Sequence, residues 1–322
     1  MVKIAIAGGT SGVARELIDA LIATQRHELL ILSRQDIPAE NPEDTTVTRV
    51  KTDYASTTDL ARILREANIH TLLSFIIDAT EDGDSPVQKR LIDAAVQAGV
   101  KRFAPSEWGS SSLEFMPWYA YKASIRTYLS ELNASKKVLE YTLFQPGLFT
   151  DYLSWPYKPT KYSSPLETPI DYYNKRAIIV AGSDDARITL TTVKDFCAVV
   201  VRALEYEEGE WPVVGGINGE TMTIGNVISI GEKIRGSKFK IEAVSKESFL
   251  DDSWETSWVP KNEHPSVPRE LVEQFARPAT KGICLGFGEG EWAVSDEWNA
   301  LIGEYEFTKA EEFLKAFWEG RD

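Results

Sequence analysis

AIAGGTSGVARELI, residues 5–18, is the stretch that decides the fold of this 322-residue chain. It joins an apolar run, Val2–Ala7, which is predicted to be a buried strand, to an amphipathic helix predicted over Val13–Ala23. Gly8, Gly9 and Gly12 occupy the turn between them. A turn this tight needs positive φ and lets the backbone approach a pyrophosphate closely. The free N–H groups and the positive dipole end of the helix then stabilise the phosphate charge.

The position of this turn, at the first strand–helix junction, favours a dinucleotide-binding site. The alternative is a tight turn without a ligand. Ser11 and Ala14 stand where the six-residue glycine fingerprint often has glycine, but both are small enough for the helix to pack closely. We therefore expect Gly8 and the residues from Thr10 to Val13 (Thr10, Ser11, Gly12 and Val13) to contact the cofactor.

The second predicted strand, Glu28–Leu32, is followed by Ser33 and Arg34. An NAD-dependent enzyme usually carries Asp or Glu here, which binds the ribose 2′-hydroxyl. A guanidinium instead suits a 2′-phosphate, so the sequence predicts NADP(H) as the cofactor. The alternative is a solvated surface arginine. Asp53 follows the third strand, and it either binds the adenine amino group or caps the helix predicted over 55–67.

Strands and helices alternate along the first half of the chain, which predicts a parallel, doubly wound α/β sheet of the Rossmann type. Further strands are predicted at Val47–Val50, His70–Ile77, Lys101–Ala104 and Leu139–Phe144, and further helices at Asp59–Ala67, Pro86–Ala98 and Trp118–Asn133. Gly99 closes one of these helices, as glycine commonly does at a helix C-terminus.

The pattern changes after about residue 149. Residues 151–176 are rich in Pro, Tyr, Ser and Lys and are expected to run irregularly over the edge of the sheet. The later elements are predicted as strands at Ala177–Val180 and Lys238–Val244, helices at Val193–Tyr206, Thr223–Arg235 and Thr308–Trp318, and a loop over 251–270. We expect residues 1–150 to form an NADP-binding domain to which 177–206 return, and residues 151–176 and 207–322 to form a smaller α+β substrate lobe.

Composition and charge exclude several classes of protein. A chain that is 43% hydrophobic is not wholly disordered. Its 49 acidic residues outnumber its 35 basic ones, and the net charge of −14 repels phosphate backbones and anionic lipids, so neither nucleic acid nor a membrane is expected as a partner. Cys197 and Cys284 are expected to be free thiols in a reducing compartment. No leader, membrane span or metal-ligand spacing is recognised, so the predicted location is the cytoplasm.

Four segments carry a resemblance to a known family: QAGVKRFAPSEWG at 97–109, YKASIR at 121–126, YTLFQPGLFTDYL at 141–153 and ITLTTVKDFCAVVVRAL at 188–204. With the glycine turn, they resemble the NmrA-like and isoflavone-reductase-like families. These are atypical relatives of the short-chain dehydrogenases and include the phenylcoumaran benzylic ether reductases. The resemblance covers nearly the whole chain. PSEWG is its most specific part, and Trp108 stands there where the family commonly has Phe.

The resemblance implies an NADP-dependent oxidoreductase with a substrate cleft between the sheet and the C-terminal lobe. Lys122 matches the lysine that approaches the nicotinamide ribose in plant reductases of this kind and is their proposed acid/base. Ordinary short-chain dehydrogenases have a tyrosine four residues earlier, where this chain has Trp118, and Tyr119 and Tyr121 are out of register. Burial beside a nicotinamide would lower the pKa of Lys122 towards neutrality and allow it to donate a proton. The alternative is that it only hydrogen-bonds the ribose.

The expected sites extend over several segments. Besides the glycine turn, cofactor contacts are predicted for Ser33, Arg34, Asp53, Tyr54, Phe75, Ser106, Lys122, Pro146, Gly147 and Phe149. Substrate contacts are predicted for Trp108, Tyr119, Tyr152, Trp155, Trp258 and His264. Trp155, Trp254 and Trp258 fall in the irregular segments that are expected to roof the cleft, where a flat aromatic substrate would stack. The alternative for these three is core filling. Ser106 and Glu107 are expected to shape the cleft.

The sequence thus predicts an NADP(H)-dependent oxidoreductase that transfers hydride to or from a bulky aromatic natural product of secondary metabolism, with Lys122 as the acid. One alternative is a ring-forming tailoring enzyme, a cyclase, that uses bound NADP in a redox-mediated or redox-neutral way. The other is a regulatory protein of NmrA type that senses NADP and turns nothing over. The oligomeric state is expected to be a monomer or a homodimer.

Overall fold

Six parallel strands form the central sheet of the protein. A computed structural model describes residues 2–36, 46–261, 263–264 and 267–321. The strands of the central sheet are β1 (Val2–Ala7), β2 (His27–Ser33), β3 (Val47–Lys51), β4 (Thr71–Ser74), β5 (Arg102–Ala104) and β6 (Glu140–Tyr141). Their order is β3-β2-β1-β4-β5-β6, and all neighbours are parallel. The order reverses between β1 and β4, which is where doubly wound sheets bind dinucleotides. The predicted Rossmann-type α/β fold is confirmed.

Helices cover both faces of this sheet. Successive side chains of a strand point to opposite faces, so each strand contributes to two apolar clusters. In β1, Ile4 and Ile6 belong to one apolar cluster, and Ala5 and Ala7 belong to the other. The first cluster is completed by α1 (Gly12–Thr24) and α5 (Val193–Glu205). The second is completed by α2 (Thr57–Glu66), α3 (Pro86–Ala98) and α4 (Ala120–Leu132). Burial on both faces accounts for the near-continuous apolar runs in the strand sequences.

Three small sheets and five further helices build the rest of the described molecule. One sheet pairs β14 (Lys240–Val244), β10 (Arg176–Val180) and β9 (Ile170–Asp171), a second pairs β13 (Glu220–Thr223), β11 (Arg187–Thr191) and β8 (Leu148–Phe149), and the third pairs β12 (Val214–Gly216) with β7 (Leu143–Gln145). The helices are α6 (Ile224–Arg235), α7 (Lys246–Leu250), α8 (Val272–Gly288), α9 (Glu297–Leu301) and α10 (Ala310–Trp318). Short 3₁₀ helices span Pro117–Tyr119, Thr150–Ser154 and Arg269–Leu271.

The division into two domains stays a prediction, and the segment 177–206 has two different surroundings. Helix α5 packs against α1 on the central sheet. Strand β10 instead pairs with β14 and β9, outside the central sheet. The second strand of the segment, Arg187–Thr191, also pairs outside the central sheet, so only the helix of this segment packs on that sheet.

The predicted sixth strand, Leu139–Phe144, is two strands in the structure. β6 pairs with β5 only as far as Tyr141. β5 ends at Ala104, and the following Pro105 has no N–H to offer to a ladder. From Leu143 onwards the chain pairs with β12 instead. The chain therefore changes partner in the middle of one continuous apolar run.

Helix α8 is absent from the sequence-based prediction, which has no element between residues 271 and 290. Pro278 lies inside this helix, and its second half contains Gly282, Gly286 and Gly288. These residues are the poorest helix formers. A Cβ at Gly282 would overlap the backbone oxygen of Phe115. The glycine therefore allows the helix to pack directly on a neighbouring backbone, a tertiary effect that local propensity does not record.

Both cysteines are buried and free, Cys197 in α5 and Cys284 in α8. Burial raises the pKa of each thiol far above its usual range. Among the described helices, none combines the length and the apolar character needed to cross a bilayer. The described residues also contain no group of three or more His, Cys, Asp or Glu side chains that could ligate a metal.

Candidate functional site

A cavity of about 530 Å³ brings together residues that follow β1, β4 and β5, the side chain of Lys122 and several later segments. The sequence-predicted site residues in its wall are Thr10, Ser11, Gly12, Val13, Phe75, Ser106, Trp108, Tyr119, Lys122, Gly147, Phe149, Tyr152, Trp155 and His264. The predicted residues outside its wall are Gly8, Ser33, Arg34, Asp53, Tyr54, Pro146 and Trp258. Lining residues that the sequence analysis missed include Met116, Trp118, Tyr162, Glu167, Lys261 and Trp292.

Tyr54 contacts both the glycine turn and Arg34. Its side chain is fully buried, and its hydroxyl accepts a hydrogen bond from the N–H of Gly8 at 3.2 Å. The guanidinium of Arg34, which is exposed after the end of β2, lies 5.8 Å from the centroid of the Tyr54 ring. Ser33 is buried beside it, and its hydroxyl accepts from the N–H of Gln35 at 3.0 Å. Arg34 therefore presents an accessible positive charge in the neighbourhood of the glycine turn.

Asp53 does not cap helix α2. Its carboxylate accepts from the N–H of Ala55 at 2.9 Å, within the loop that precedes the helix. Ser56 is the N-cap, and its hydroxyl accepts from the N–H of Asp59 at 3.2 Å. The capping alternative is wrong because the helix begins at Thr57 and the residue directly before it, Ser56, is the cap. Contact of Asp53 with an adenine amino group stays a prediction.

The start of helix α1 offers two N–H groups to a ligand. Ser11 is the N-cap, and its hydroxyl accepts from the N–H of Ala14 at 3.3 Å. Gly12 and Val13 are the first residues of the helix, so their N–H groups have no acceptor inside it. Both residues line the cavity. Backbone donors at the positive end of a helix dipole are suited to a phosphate group.

Residues 160–168 pass over this helix start, and we call this segment the strap. The carboxylate of Glu16 accepts hydrogen bonds from the N–H groups of Tyr162 and Ser163, the latter at 3.1 Å. Lys161 pairs with Asp19 at 2.7 Å. Side chains of α1 therefore fix the strap beside the glycine turn, and Tyr162 and Ser163 share the cavity wall with that turn.

Packing against the strap gives a second reason for the glycine at position 12. A Cβ at this position would lie 2.9 Å from Cα of Ser163 and 3.0 Å from the carbonyl oxygen of Tyr162. Contacts this short force one of the two backbones to move. The absence of a side chain at Gly12 is thus required by the strap, and contact of Gly12 with a pyrophosphate stays a prediction.

Lys122 is the buried cation of the cavity wall. Its side chain is 5% exposed, and Nζ donates a hydrogen bond to the backbone oxygen of Glu107 at 2.5 Å. The ammonium also lies 3.8 Å from the centroid of the Tyr119 ring. Burial lowers the pKa of Lys122 to about 8, against the opposing charge of Glu107, and Arg126 lowers it further. The amine therefore releases its proton more readily near neutral pH than an exposed lysine does.

His264 lines the same cavity as Lys122. Burial is the main cause that lowers the pKa of its imidazole, and the charge of Lys122 lowers it as well. The imidazole is therefore close enough to Lys122 for their charges to interact. His264 therefore lies in the cavity wall, and its contact with a substrate stays a prediction.

Aromatic side chains form much of the cavity wall. Trp108 stacks on Phe75 with ring centroids 4.4 Å apart, and its indole N–H donates to the backbone oxygen of Ser74 at 3.0 Å. Tyr152 packs edge-on against Phe149 at 5.8 Å. Trp108 also stacks on Phe144 at 5.6 Å and packs edge-on against Phe196 at 5.5 Å, so much of its ring is occupied by protein.

Trp254 and Trp258 do not roof the cavity. Trp254 is 1% exposed and packs against Phe249 at 5.1 Å. The guanidinium of Arg176 lies 3.8 Å from the Trp258 ring centroid, and that of Arg277 lies 4.0 Å from the Trp254 centroid. Both indoles therefore serve core packing and cation–π contacts, which corrects their expected place over the cleft; Trp155 does line the cavity.

The family model that matches this chain is described as the NmrA-like family, and the match spans residues 2–314. The chain belongs to the NmrA-like family. The resemblance stated from the four sequence segments is thereby confirmed.

Two curated relatives and one solved structure show which proteins the chain is similar to. "Oxidoreductase BOA1" of Botryotinia fuckeliana (strain B05.10) is 33% identical over 256 residues, which are 77% of this chain and 81% of that protein. "Oxidoreductase swnN" of Metarhizium robertsii (strain ARSEF 23 / ATCC MYA-3075) is 27% identical over 99% of this chain and 98% of its own length. The solved structure "AtPrR2 with NADP+ and (+)pinoresinol" has a TM-score of 0.68 at 17% identity and covers 98% of both chains.

Proposed function

We propose that this protein is an NADP(H)-dependent oxidoreductase that transfers hydride to or from a bulky aromatic natural product of secondary metabolism, with Lys122 as the proton donor. The observation that carries the proposal is a single cavity that joins the start of α1 to a buried lysine amino group. A phosphate-binding turn and a group that can transfer protons are the two parts that a nicotinamide reductase needs within one cleft.

The residues of the site fit NADP(H). The N–H groups of Gly12 and Val13 would bind the pyrophosphate, and the exposed guanidinium of Arg34 would bind the 2′-phosphate. Phe149 and Lys122 would line the nicotinamide end, because both lie in the cavity wall together with the turn. The similar solved structure, which contains NADP+, supports this choice of cofactor through its fold.

The chemistry that the chain itself supplies is proton transfer and positioning. When bound, the reduced cofactor supplies a hydride to the substrate. Lys122 then gives a proton to the oxygen, nitrogen or carbon that gains negative charge, and solvent reprotonates the amine. The backbone oxygen of Glu107 orients the ammonium through its hydrogen bond of 2.5 Å. In the oxidative direction the neutral amine accepts the proton.

The aromatic wall supports the substrate class. Trp108, Tyr119, Tyr152 and Trp155 line the same cavity as the residues that would bind the cofactor, and an aromatic wall of this kind suits a polycyclic or phenolic molecule. The solved structure that contains (+)pinoresinol supports the same class, and the two curated relatives named as oxidoreductases support the reaction type.

Turnover by Lys122 variants tests the proposal. NADPH consumption is followed with a panel of aromatic substrates that carry a reducible carbonyl, C=N or benzylic C–O bond, and the products are identified by mass spectrometry. We expect Lys122→Ala to lower turnover by ~10²–10⁴-fold with little loss of NADPH affinity, because phosphate contacts dominate that affinity. Lys136→Ala, an exposed lysine, is the matched control.

The same assay separates the alternatives. If Lys122→Gln restores most of the activity, the lysine only positions the ribose, since an amide cannot release a proton. A new ring without net consumption of NADPH would identify a cyclase. Tight NADP binding with no product from any substrate would favour a nucleotide-sensing regulator and contradict the proposal.

A further inference from the structure

An ion pair lies directly beside Lys122. Helix α4 carries Lys122 and Arg126 one turn apart, and both side chains reach the loop that follows β5. Glu107 of that loop contacts both of them. Its carboxylate accepts from Nε of Arg126 at 3.0 Å and from Nη2 at 2.7 Å, while its backbone oxygen accepts from Nζ of Lys122 at 2.5 Å. One residue thus connects the two cations.

Burial makes this arrangement unusual. The side chain of Glu107 is only 2% exposed and that of Arg126 is 24% exposed. Two cations four residues apart on a helix repel each other, and a buried charge is unfavourable unless it is paired. Replacing a buried ion pair by apolar residues of similar volume is often neutral or stabilising. The charges therefore call for a role beyond packing.

The loop around Glu107 is anchored on both sides. The N–H of Ser106 donates to the side-chain oxygen of Gln88 at 2.9 Å, and Arg126 also donates to the backbone oxygen of Ser111 at 3.2 Å. Trp108 has a positive φ of 44°, and its indole is fixed to the Ser74 carbonyl. The Glu107 carbonyl that accepts from Lys122 therefore has a defined position.

We propose that Glu107 and Arg126 are positioning residues for Lys122: their ion pair fixes the carbonyl that orients the ammonium and balances the charge around it. The proposal rests on the proposed function, because a balanced charge matters to the reaction only if Lys122 transfers a proton. Neither residue needs to touch the substrate for this role.

Among the described residues, the charges of the Glu107 carboxylate and the Arg126 guanidinium act on the Lys122 amine. The Tyr119 ring centroid lies 3.8 Å from Nζ, and the charge of Lys122 acts on the His264 imidazole. The negative charge of Glu107 raises the pKa of Lys122, and the positive charge of Arg126 lowers it. Removing one partner leaves the other unbalanced, whereas removing both largely restores the balance. The direction in which each substitution moves the pKa of Lys122 can therefore be predicted separately.

A charge-removal cycle tests the proposal: wild type, Glu107→Gln, Arg126→Gln and the double variant. The pKa of Lys122 is read by NMR of protein labelled with ¹³C at the lysine ε-carbon, with Lys122→Gln assigning the resonance. We expect Glu107→Gln to lower this pKa by about one pH unit or more, Arg126→Gln to raise it, and the double variant to lie between them. Glu131→Gln, an exposed position of α4, controls for net charge.

An unchanged Lys122 pKa in a folded Arg126→Gln variant would overturn the proposal, and this holds even where Glu107→Gln alone fails to fold. With an accepted substrate, the basic limb of the pH–turnover profile should move with the NMR pKa. If the pKa values move but the wild type turns nothing over, the positioning role stands and the proposed function fails. If Lys122→Ala abolishes turnover while the pKa of Lys122 is the same in all variants, the proposed function stands and the positioning role fails.

Discussion

Arg34 is the residue that we expect to select NADP over NAD. Its guanidinium is exposed after the end of β2, where a 2′-phosphate would form a charge-assisted pair. Arg34→Ala should weaken NADP binding by roughly 10- to 100-fold, which corresponds to about 1.5–3 kcal/mol, and leave NAD binding unchanged. Calorimetric titration of both nucleotides measures this, with Arg62→Ala, an exposed arginine of α2, as the control. Equal affinity of the wild type for both nucleotides would contradict the assignment.

Asp151 is expected to make the stability of the protein pH-dependent. Its carboxyl is buried and accepts from the N–H of Val193 at 2.8 Å. Burial raises its pKa to about 6, from 3.8. The folded state therefore favours the protonated form, so this stability is present below about pH 4 and is lost as the pH rises through 6.

Asp151→Asn keeps the acceptor and removes the charge. The variant should be more stable than the wild type at pH 8 by about 1–3 kcal/mol, and the difference should vanish near pH 4. Urea unfolding at several pH values measures this, with the exposed Asp59→Asn as the control. A stability difference that is independent of pH would show that Asp151 is not the titrating group.

At the scale of single residues, the sequence shows which side chains can do chemistry, but it does not show which other side chains they contact. Lys122 is predicted because YKASIR resembles a family motif. Arg126 ends the same motif, yet its role depends on Glu107, which lies 19 positions away on another loop. Trp258 and Trp155 look alike in sequence, and only the fold places one on Arg176 and the other in the cavity.

At the scale of elements, the strap is expected to control cofactor release. Glu16→Ala removes the acceptor of two strap N–H groups, and Gly12→Ala adds a Cβ 2.9 Å from Ser163. Both changes should loosen the strap and speed NADPH dissociation by roughly 10- to 100-fold, since hydrogen bonds to a charged group contribute about 1.5–3 kcal/mol. Stopped-flow fluorescence measures the rate. Unchanged rates in both folded variants would exclude this role.

Elements that depend on local periodicity are predicted well from the sequence. β1 and α3 have the predicted bounds. An apolar run marks the strand, and a proline at the start and a glycine after the end mark the helix, so both are defined by neighbouring residues alone. Elements that depend on distant contacts are not. Nothing local in the run from Leu139 to Phe144 shows where it changes partner, and the glycines of α8 conceal a helix that needs close packing.

At the scale of the whole molecule, Asp195 connects the C-terminal segment to the central sheet. This buried residue of α5 accepts from the Tyr305 hydroxyl at 2.7 Å, and from the N–H and the hydroxyl of Thr308 at 3.0 and 3.2 Å. Asp195→Ala would leave these donors unsatisfied and should lower the free energy of unfolding by about 2–4 kcal/mol. Calorimetry compares it with Asp185→Ala, an exposed position. A loss below about 0.5 kcal/mol would contradict the connecting role.

Labelling of the two buried thiols can show which region of the protein opens first. Cys197 lies in the cluster of the central sheet, and Cys284 lies in the cluster around β10 and α8. Because both thiols are enclosed and only the thiolate reacts, a maleimide should label the native protein only through opening. Mass spectrometry of the two cysteine-containing peptides would then time each region separately. Equal labelling rates mean that the molecule opens as one unit, and faster labelling of Cys284 means that the region around α8 opens first.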